Sequence, residues 1–264
     1  MLQSFVKNAA VKLFAFTAKA GVHRLPGFHR VFLTLYPIYK QYFEAGPIDR
    51  LREFVPDGSL VIDVGANIGF FSLRFAEWVG DGGKVIAIEP EDQNYENLIS
   101  ALKRAGLGDR VHALKAVAAA EPGMTFLEIN PLHPADHKLS RNGTGLPVTA
   151  VTLDGLVQDK GPLRPALVKI DVQGAEMLTL QGMTDILKIA GPALFIELSE
   201  QGLLKFGTSV SAILHLLSDN GYEPYWLTRS GRQKATRSEI DVRTAGAEYV
   251  DVLFLKNALV DGGG

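Results

Sequence analysis

Residues 60 to 72 read Leu-Val-Ile-Asp-Val-Gly-Ala-Asn-Ile-Gly-Phe-Phe-Ser, and this stretch decides the fold. Leu60 to Val64 form a short, β-branched, apolar run of the kind that suits a parallel strand covered on both faces. Helical spacing then runs from Phe70 to Val79. Between the two, Gly65-Ala-Asn-Ile-Gly69 puts glycines at a strand-to-helix turn. Glycine allows tight backbone geometry and close ligand approach there, and the following helix offers unpaired N–H groups. Strand, glycine turn and helix in that order predict a nucleotide-type cofactor site at the carboxyl end of the first strand of an open sheet.

The details of the turn select the cofactor. A dinucleotide fingerprint asks for G-x-G-x-x-G, whereas this chain has G-x-N-x-G preceded by Asp63. A carboxylate repels a pyrophosphate and favours an ammonium group. S-adenosylmethionine carries an amino acid end and a sulfonium, and no phosphate. The next strand, Lys84 to Ile88, ends in Glu89-Pro90, at the distance beyond the glycines from which an acid hydrogen-bonds ribose hydroxyls. Asp63, Gly65, Ala66, Asn67, Gly69, Glu89 and Pro90 are therefore the expected cofactor-binding residues. A competing reading keeps Asp63 and Glu89 as caps of the helices that follow them.

Further along, Glu91 to Ala105 reads as an amphipathic helix closed by Gly106 and Gly108. Val111 to Ala118 reads as a third strand. No acid stands at its end to meet an adenine amino group, so main-chain atoms around Val117 and Ala118 are the expected adenine contacts. Thr125 to Ile129 and Pro147 to Thr152 alternate like an antiparallel excursion. Asn130 to Gly145, rich in Pro, His, Asn and Gly, reads as a long surface loop. Ala166 to Ile170 is a fourth strand, Ala175 to Leu187 its helix, Ala193 to Ile196 a fifth strand and Ser209 to Asn220 a further helix. Tyr222 to Leu227 and Tyr249 to Leu255 make a closing antiparallel pair. Alternating strand and helix predicts a doubly wound α/β sheet with its site over the carboxyl edges.

Several stretches carry a family resemblance: Val61 to Ser72, Val85 to Pro90, and above all Val168-Lys-Ile-Asp-Val-Gln-Gly-Ala-Glu176. Together with Val151-Thr-Leu-Asp154 and Asp251-Val-Leu-Phe-Leu255, they resemble the FkbM-type family of S-adenosylmethionine-dependent methyltransferases. The resemblance implies a class I methyltransferase (Rossmann-like) sheet with strand order 3-2-1-4-5-7-6. It also implies O-methylation of a hydroxyl on a sugar, lipid-linked or natural-product acceptor. The chain departs from the family at Gln173, where relatives usually have Glu. If that acid binds a metal or acts as a base in relatives, this chain has lost it; if it orients the loop by hydrogen bonding, Gln substitutes.

Methylating a hydroxyl needs an oxygen nucleophile in line with the methyl and sulfur, and a base or metal to help remove its proton. Class I topology puts the ends of strands 1 and 4 side by side, so Lys169, Asp171 and the loop to Glu176 should border the transfer position. Asp171 is the first catalytic candidate, as base or as a ligand of a hard cation, and it is equally a candidate for holding the methionine amino group. Glu197 is the second, and with Asp171 it sketches a Mg²⁺ or Mn²⁺ site with a thin ligand set. His137, in the His133, Asp136, His137 and Lys138 cluster, is the third, a base carried by a closing loop. The bland alternatives make Asp171 a helix cap, Glu176 a bond to its own turn and the loop histidines merely exposed. Two other functions stand as alternatives: a nicotinamide-dependent Rossmann oxidoreductase, and a non-catalytic binding or membrane-tethering module that retains the fold.

The 264 residues are 47% hydrophobic and 21% charged, enough for a buried core and far from a disordered composition. The absence of cysteine excludes disulfides, thiolate metal sites and cysteine nucleophiles, and suits a reducing, cytoplasmic compartment. The net charge of −2 averages two unlike parts. Residues 1 to 43 hold Lys7, Lys12, Lys19, Arg24, Arg30 and Lys40 and no acid, which leaves the rest of the chain strongly acidic. Such a body disfavours nucleic acid as a partner. The expected organisation is a basic helical leader, 1–45, followed by the methyltransferase domain, 46–264. Leu2, Phe5, Val6, Ala9, Leu13 and Phe16 share one face of a helix, and the lysines interrupt any membrane-spanning run. The leader reads either as an interfacial anchor on the inner membrane face or as a cap packed on the domain or on the second copy of a homodimer.

Overall fold

The computed structural model describes residues 45–129, 138–140, 142–158, 164–246 and 249–257; residues 1–44 of the leader therefore lie outside the described residues. Two compact units separate, one of residues up to Leu51 with Thr228–Gly231, the other of Arg52–Leu227 with Arg232–Gly264. In the first, a one-turn helix, α1 (Ala45–Ile48), is followed by Arg50, whose guanidinium donates to the Arg229 carbonyl at 3.2 and 2.9 Å.

The chain then runs through β1 (Leu60–Val64), α2 (Phe70–Trp78), β2 (Lys84–Ile88), α3 (Asp92–Ala105), β3 (Val111–Leu114), β4 (Val117–Ala118) and β5 (Gly123–Glu128). After these come β6 (Lys138–Leu139), β7 (Leu146–Val151), α4 (Leu153–Gln158), β8 (Pro165–Ile170), α5 (Glu176–Gln181) and β9 (Ala193–Leu198). The last elements are α6 (Glu200–Lys205), α7 (Val210–Asp219), β10 (Tyr222–Thr228), β11 (Gly231–Lys234), α8 (Arg237–Gly246) and β12 (Val250–Lys256).

The main sheet has the order β3-β2-β1-β8-β9-β12-β10-β11. It is parallel from β3 to β9, while β12 is antiparallel to β9 and β10 to β12. Numbered along the chain without the excursion and without β11, this is the order 3-2-1-4-5-7-6, a doubly wound α/β sheet of the class I methyltransferase type, with β11 added at the edge. All five residues of β1 are buried, which is why the segment is apolar at every position except Asp63. Full burial of each such Val, Leu or Ile stabilises by about 1.5 to 3 kcal/mol. Local chemistry fixes the helix ends. The Glu91 carboxylate caps α3 by accepting from Asn94 N at 2.7 Å, and Gly106 closes it in the left-handed region (φ 68°). Ser209 caps α7 through Ala212 N.

Three expectations need correction. The third strand stops at Leu114, because β2 ends at its partner Ile88 and no further ladder is on offer. Val117 and Ala118 instead form β4, parallel to β7, in a second sheet of order β4-β7-β5-β6. The helix after β8 is not continuous: it ends at Gln181, where Gly182 lies so close to the chain that a Cβ would sit 2.0 Å from the Ala119 carbonyl oxygen, and a π-helical turn, Ile186–Ala190, follows. Within the segment expected to be loop, Lys138–Leu139 pairs with β5 as β6. The antiparallel excursion itself is present as β5 and β7.

Candidate functional site

Chain order reverses at β1, with β2 and β3 on one side and β8 and β9 on the other. Open α/β sheets bind ligands in the crevice at such a switch point. The glycine turn sits there. Gly65, Asn67 and Gly69 all have positive φ (77°, 50° and 95°). At Gly65 the need for glycine is also steric, since a Cβ would lie 1.9 Å from the Asp171 carbonyl oxygen. The turn is held by Gly65 N and Ala66 N, both donating to the Ile88 carbonyl at 3.0 Å. No side chain caps α2, whose N-cap is Gly69.

Asp63 is fully buried on β1, and its Oδ2 accepts from Ser72 Oγ at 2.6 Å. Its Oδ1 makes no hydrogen bond; the opposing charge is Lys169 Nζ, 3.4 Å away. Lys169 is the β8 residue in register with Asp63. It is 3% exposed, and its ammonium donates to the carbonyls of Gly65 (2.8 Å) and Val64 (3.3 Å) and pairs with Asp171 Oδ2 at 3.4 Å. Asp63 therefore does not cap α2.

Glu89, at the end of β2, is also buried. Its Oε2 accepts from Asn67 N at 2.8 Å and its Oε1 from Glu91 N at 3.0 Å, so it ties the glycine turn to the start of α3, while Glu91 does the capping. Burial pushes the Glu89 carboxyl up to about 7 against the pull of those two N–H groups. Pro90 follows it, half-buried, and Val117 and Ala118 are buried in β4.

On the other side of the switch, Asp171 N donates to the Val64 carbonyl at 3.1 Å, which carries the β1–β8 ladder one step past the strand end. Gln173 adopts the left-handed region (φ 56°). Its Nε2 donates to Glu197 Oε2 at 3.2 Å and Asp171 Oδ1 at 3.4 Å. The structure thus brings Asp171 and Glu197 onto one amide. Buried Glu176 accepts from Gly174 N at 2.9 Å through Oε1, the bond within its own turn expected of it, and burial pushes its carboxyl up to about 7. His137, His133 and Asp136 lie outside the described residues.

The residue that sequence reading underused is Lys169, placed at the border of the site but given no role. The available signal was a lone charge inside an otherwise apolar strand, since lysine is almost never fully buried without partners. Gln173 was legible as a departure from the family but not as a bridge. A cavity of about 410 Å³, lined by His215, Tyr222 and Lys234 among others, contains none of these residues. It lies where β10 begins beside Lys256, at the sheet edge remote from Leu198.

The buried Asp63 Oδ1 without a hydrogen bond suits an ammonium donor, and the Glu89 carboxylate retains lone pairs for hydroxyls, so these residues fit S-adenosylmethionine. A divalent metal fits less well. Asp171 and Glu197 supply two carboxylates with an N–H donor between them, and among the described residues no group of three or more His, Asp or Glu side chains converges to hold an ion. Among those residues, too, no helix is long and apolar enough to cross a membrane.

Residues 63–224 match the model of the family described as methyltransferase FkbM domain. The chain is similar to the hexuronic acid methyltransferase AglP of Haloferax volcanii, 29% identical over 146 residues, which cover 55% of this chain and 58% of that protein. The chain thus spans less than two thirds of that relative's length. Among solved structures it is similar to methyltransferase FkbM from Methylobacillus flagellatus KT (TM-score 0.48, 18% identity, 93% of this chain and 58% of that one). It is also similar to a putative rRNA-methylase from Clostridium thermocellum (TM-score 0.46, 15% identity, 79% of this chain and 92% of that one).

Proposed function

Because this chain belongs to the FkbM methyltransferase family, we propose that it transfers the methyl group of S-adenosylmethionine to a hydroxyl oxygen of a sugar, lipid-linked or natural-product acceptor. The observation that carries the cofactor assignment is the arrangement at the switch point: a buried Asp63 with an oxygen lacking a hydrogen bond, a glycine turn in contact with Asp171, and Glu89 holding that turn. Asp63 and the turn would receive the amino acid end, Glu89 and Pro90 the ribose, and main-chain atoms near Val117 and Ala118 the adenine. Bound there, the cofactor supplies an electrophilic methyl carbon on a sulfonium sulfur.

The chain's own residues supply the remainder. Asp171, joined to Glu197 through Gln173, accepts the hydrogen bond of the acceptor hydroxyl and takes its proton as the oxygen attacks. Lys169 and the Gln173 amide keep the Asp171 carboxylate aimed. The name of the archaeal relative supports a carbohydrate acceptor; the acidic body of this chain suits a neutral or cationic one.

The test has two parts. Calorimetry with S-adenosylhomocysteine on the full chain should give saturable binding, and its absence removes the cofactor assignment. Incubating a cell extract with enzyme and isotopically labelled cofactor, followed by mass spectrometry, should then identify the molecule that gains the methyl on oxygen. Label appearing only on nitrogen or carbon would overturn the hydroxyl assignment.

A further inference from the structure

We propose that Lys169 is a positioning residue that couples the two halves of the site, one ammonium holding both the turn that receives the cofactor and the carboxylate that faces the acceptor. This rests on the reading of the site as a methyltransferase centre. The geometry is specific. Lys169 stands directly beside Asp63 in the β1–β8 register, and its Nζ donates to Gly65 O at 2.8 Å and Val64 O at 3.3 Å and forms ion pairs with Asp63 Oδ1 and Asp171 Oδ2, each at 3.4 Å. Phe71 lines the same space, its ring centroid 5.1 Å from the nitrogen. A buried ammonium is strongly unfavourable unless paired and hydrogen-bonded, so this one is confined to the point where those groups converge.

A staple between strands is not what the position needs. The β1–β8 ladder already runs from Leu60 to Val64 and is prolonged by Asp171 N to Val64 O. What the ammonium adds is a single positive charge between two carboxylates that belong to different half-sites, together with a bond to the carbonyl of the first glycine of the turn. Movement of Asp171 therefore shifts the cation that also faces Asp63, and the two halves are set in common.

The acids facing this cation are Asp63 on β1, Asp171 after β8 and Glu89 at the end of β2, which the Lys169 charge reaches; Glu197 on β9 meets Gln173 and Glu176 at the start of α5 is felt by Asp171. Without the Lys169 charge between them, the fully buried Asp63 carboxylate and the partly exposed Asp171 carboxylate repel each other, and the pair retains a proton. Binding a ligand ammonium then requires that proton to leave.

Calorimetric titration of S-adenosylhomocysteine into the full chain, in buffers of different ionisation enthalpy at about pH 6 and about pH 8, counts that proton. Lys169→Met is expected to release about one proton more than wild type at the lower pH, and to lose at least about tenfold more affinity than wild type between the two. Lys169→Arg, which keeps the charge, is expected to behave as wild type. Adding Asp171→Asn to Lys169→Met should abolish the extra proton. An affinity loss in Lys169→Met that is equal at both pH values, with no extra proton, or failure of Lys169→Arg to rescue, would overturn the proposal by showing lost packing alone. Lys169→Gln carries the same comparison if the Met variant does not fold. Wild-type protein that does not bind the probe would strike at the methyltransferase reading instead.

Discussion

Gln173 Nε2 lies 3.2 Å from Glu197 Oε2 and 3.4 Å from Asp171 Oδ1, so an uncharged amide joins two carboxylates, one just past the end of β8 and the other on the neighbouring strand β9. Gln173→Glu would place a third carboxylate there, with like-charge repulsion in place of two donated hydrogen bonds. The variant is expected to be destabilised by about 1 to 3 kcal/mol at neutral pH, and millimolar Mg²⁺ or Mn²⁺ is expected to return part of that loss. Thermal melts with and without the ion check this, and a melt indifferent to the ion would show that the three acids do not converge.

Glu89 uses both oxygens to accept backbone N–H bonds. A Gln side chain can accept at only one. Glu89→Gln is therefore expected to weaken S-adenosylhomocysteine binding by about 1 to 3 kcal/mol, measured by calorimetry near pH 8 where the wild-type acid is ionised.

Glu176 gives a stability prediction with a definite sign. Its folded-state pKa is raised to about 7 from 4.5 by burial. A raised acid contributes stability that is complete below the unfolded value and is lost as pH rises through the folded one. Glu176→Gln, neutral throughout, should be more stable than wild type by about 1 to 3 kcal/mol near pH 8, with the difference closing towards pH 5. Denaturant unfolding at the two pH values measures it, and a constant difference would contradict the assignment.

Gly65→Ala combines an unfavourable φ with a Cβ only 1.9 Å from the Asp171 carbonyl oxygen. The backbone of one half-site must shift against the other. A loss of about 2 to 4 kcal/mol in stability, together with loss of cofactor-product binding, is expected from thermal melting and calorimetry.

Residues 1–43 carry six basic side chains and no acid. Contact of this segment with an anionic bilayer should appear as flotation with phosphatidylserine vesicles at low salt that is lost at about 0.5 M salt and on replacing Lys7, Lys12 and Lys19 by Gln. No flotation at low salt would remove the anchor reading.

The fold was legible where one pattern dominated. The run Leu60 to Val64 is apolar because both its faces are covered, and the Gly65 to Gly69 turn is written in residues that only left-handed backbone and close approach demand. Elements that depend on tertiary partners were not legible. Nothing in Val111 to Ala118 marks the point where the chain leaves β3 for β4, because the break is set by where β2 ends. Helices α6 and α8 are short or polar on most faces, and so give no periodic signal. At the site, residue type pointed to Asp63, Glu89, Asp171 and Glu197, since carboxylates at strand ends stand out. What each one touches was hidden: the Lys169 cation and the Gln173 amide act through distances across strands that are far apart in sequence.

The second sheet has a small core of its own, in which Val117, Leu127, Val148 and Ala150 pack together with Leu139 and Leu146 at its margin. Of its strands, only the ends at Ala118 and Val151 reach the core of the eight-stranded sheet. A lineage could therefore rewrite the residues between Ala119 and Leu146, lengthening or shortening the hairpin, without repacking the scaffold that carries Asp63 and Lys169. Such modularity makes the excursion the natural place to graft a different acceptor preference: a chimera exchanging only that stretch should keep its cofactor affinity while changing what it modifies.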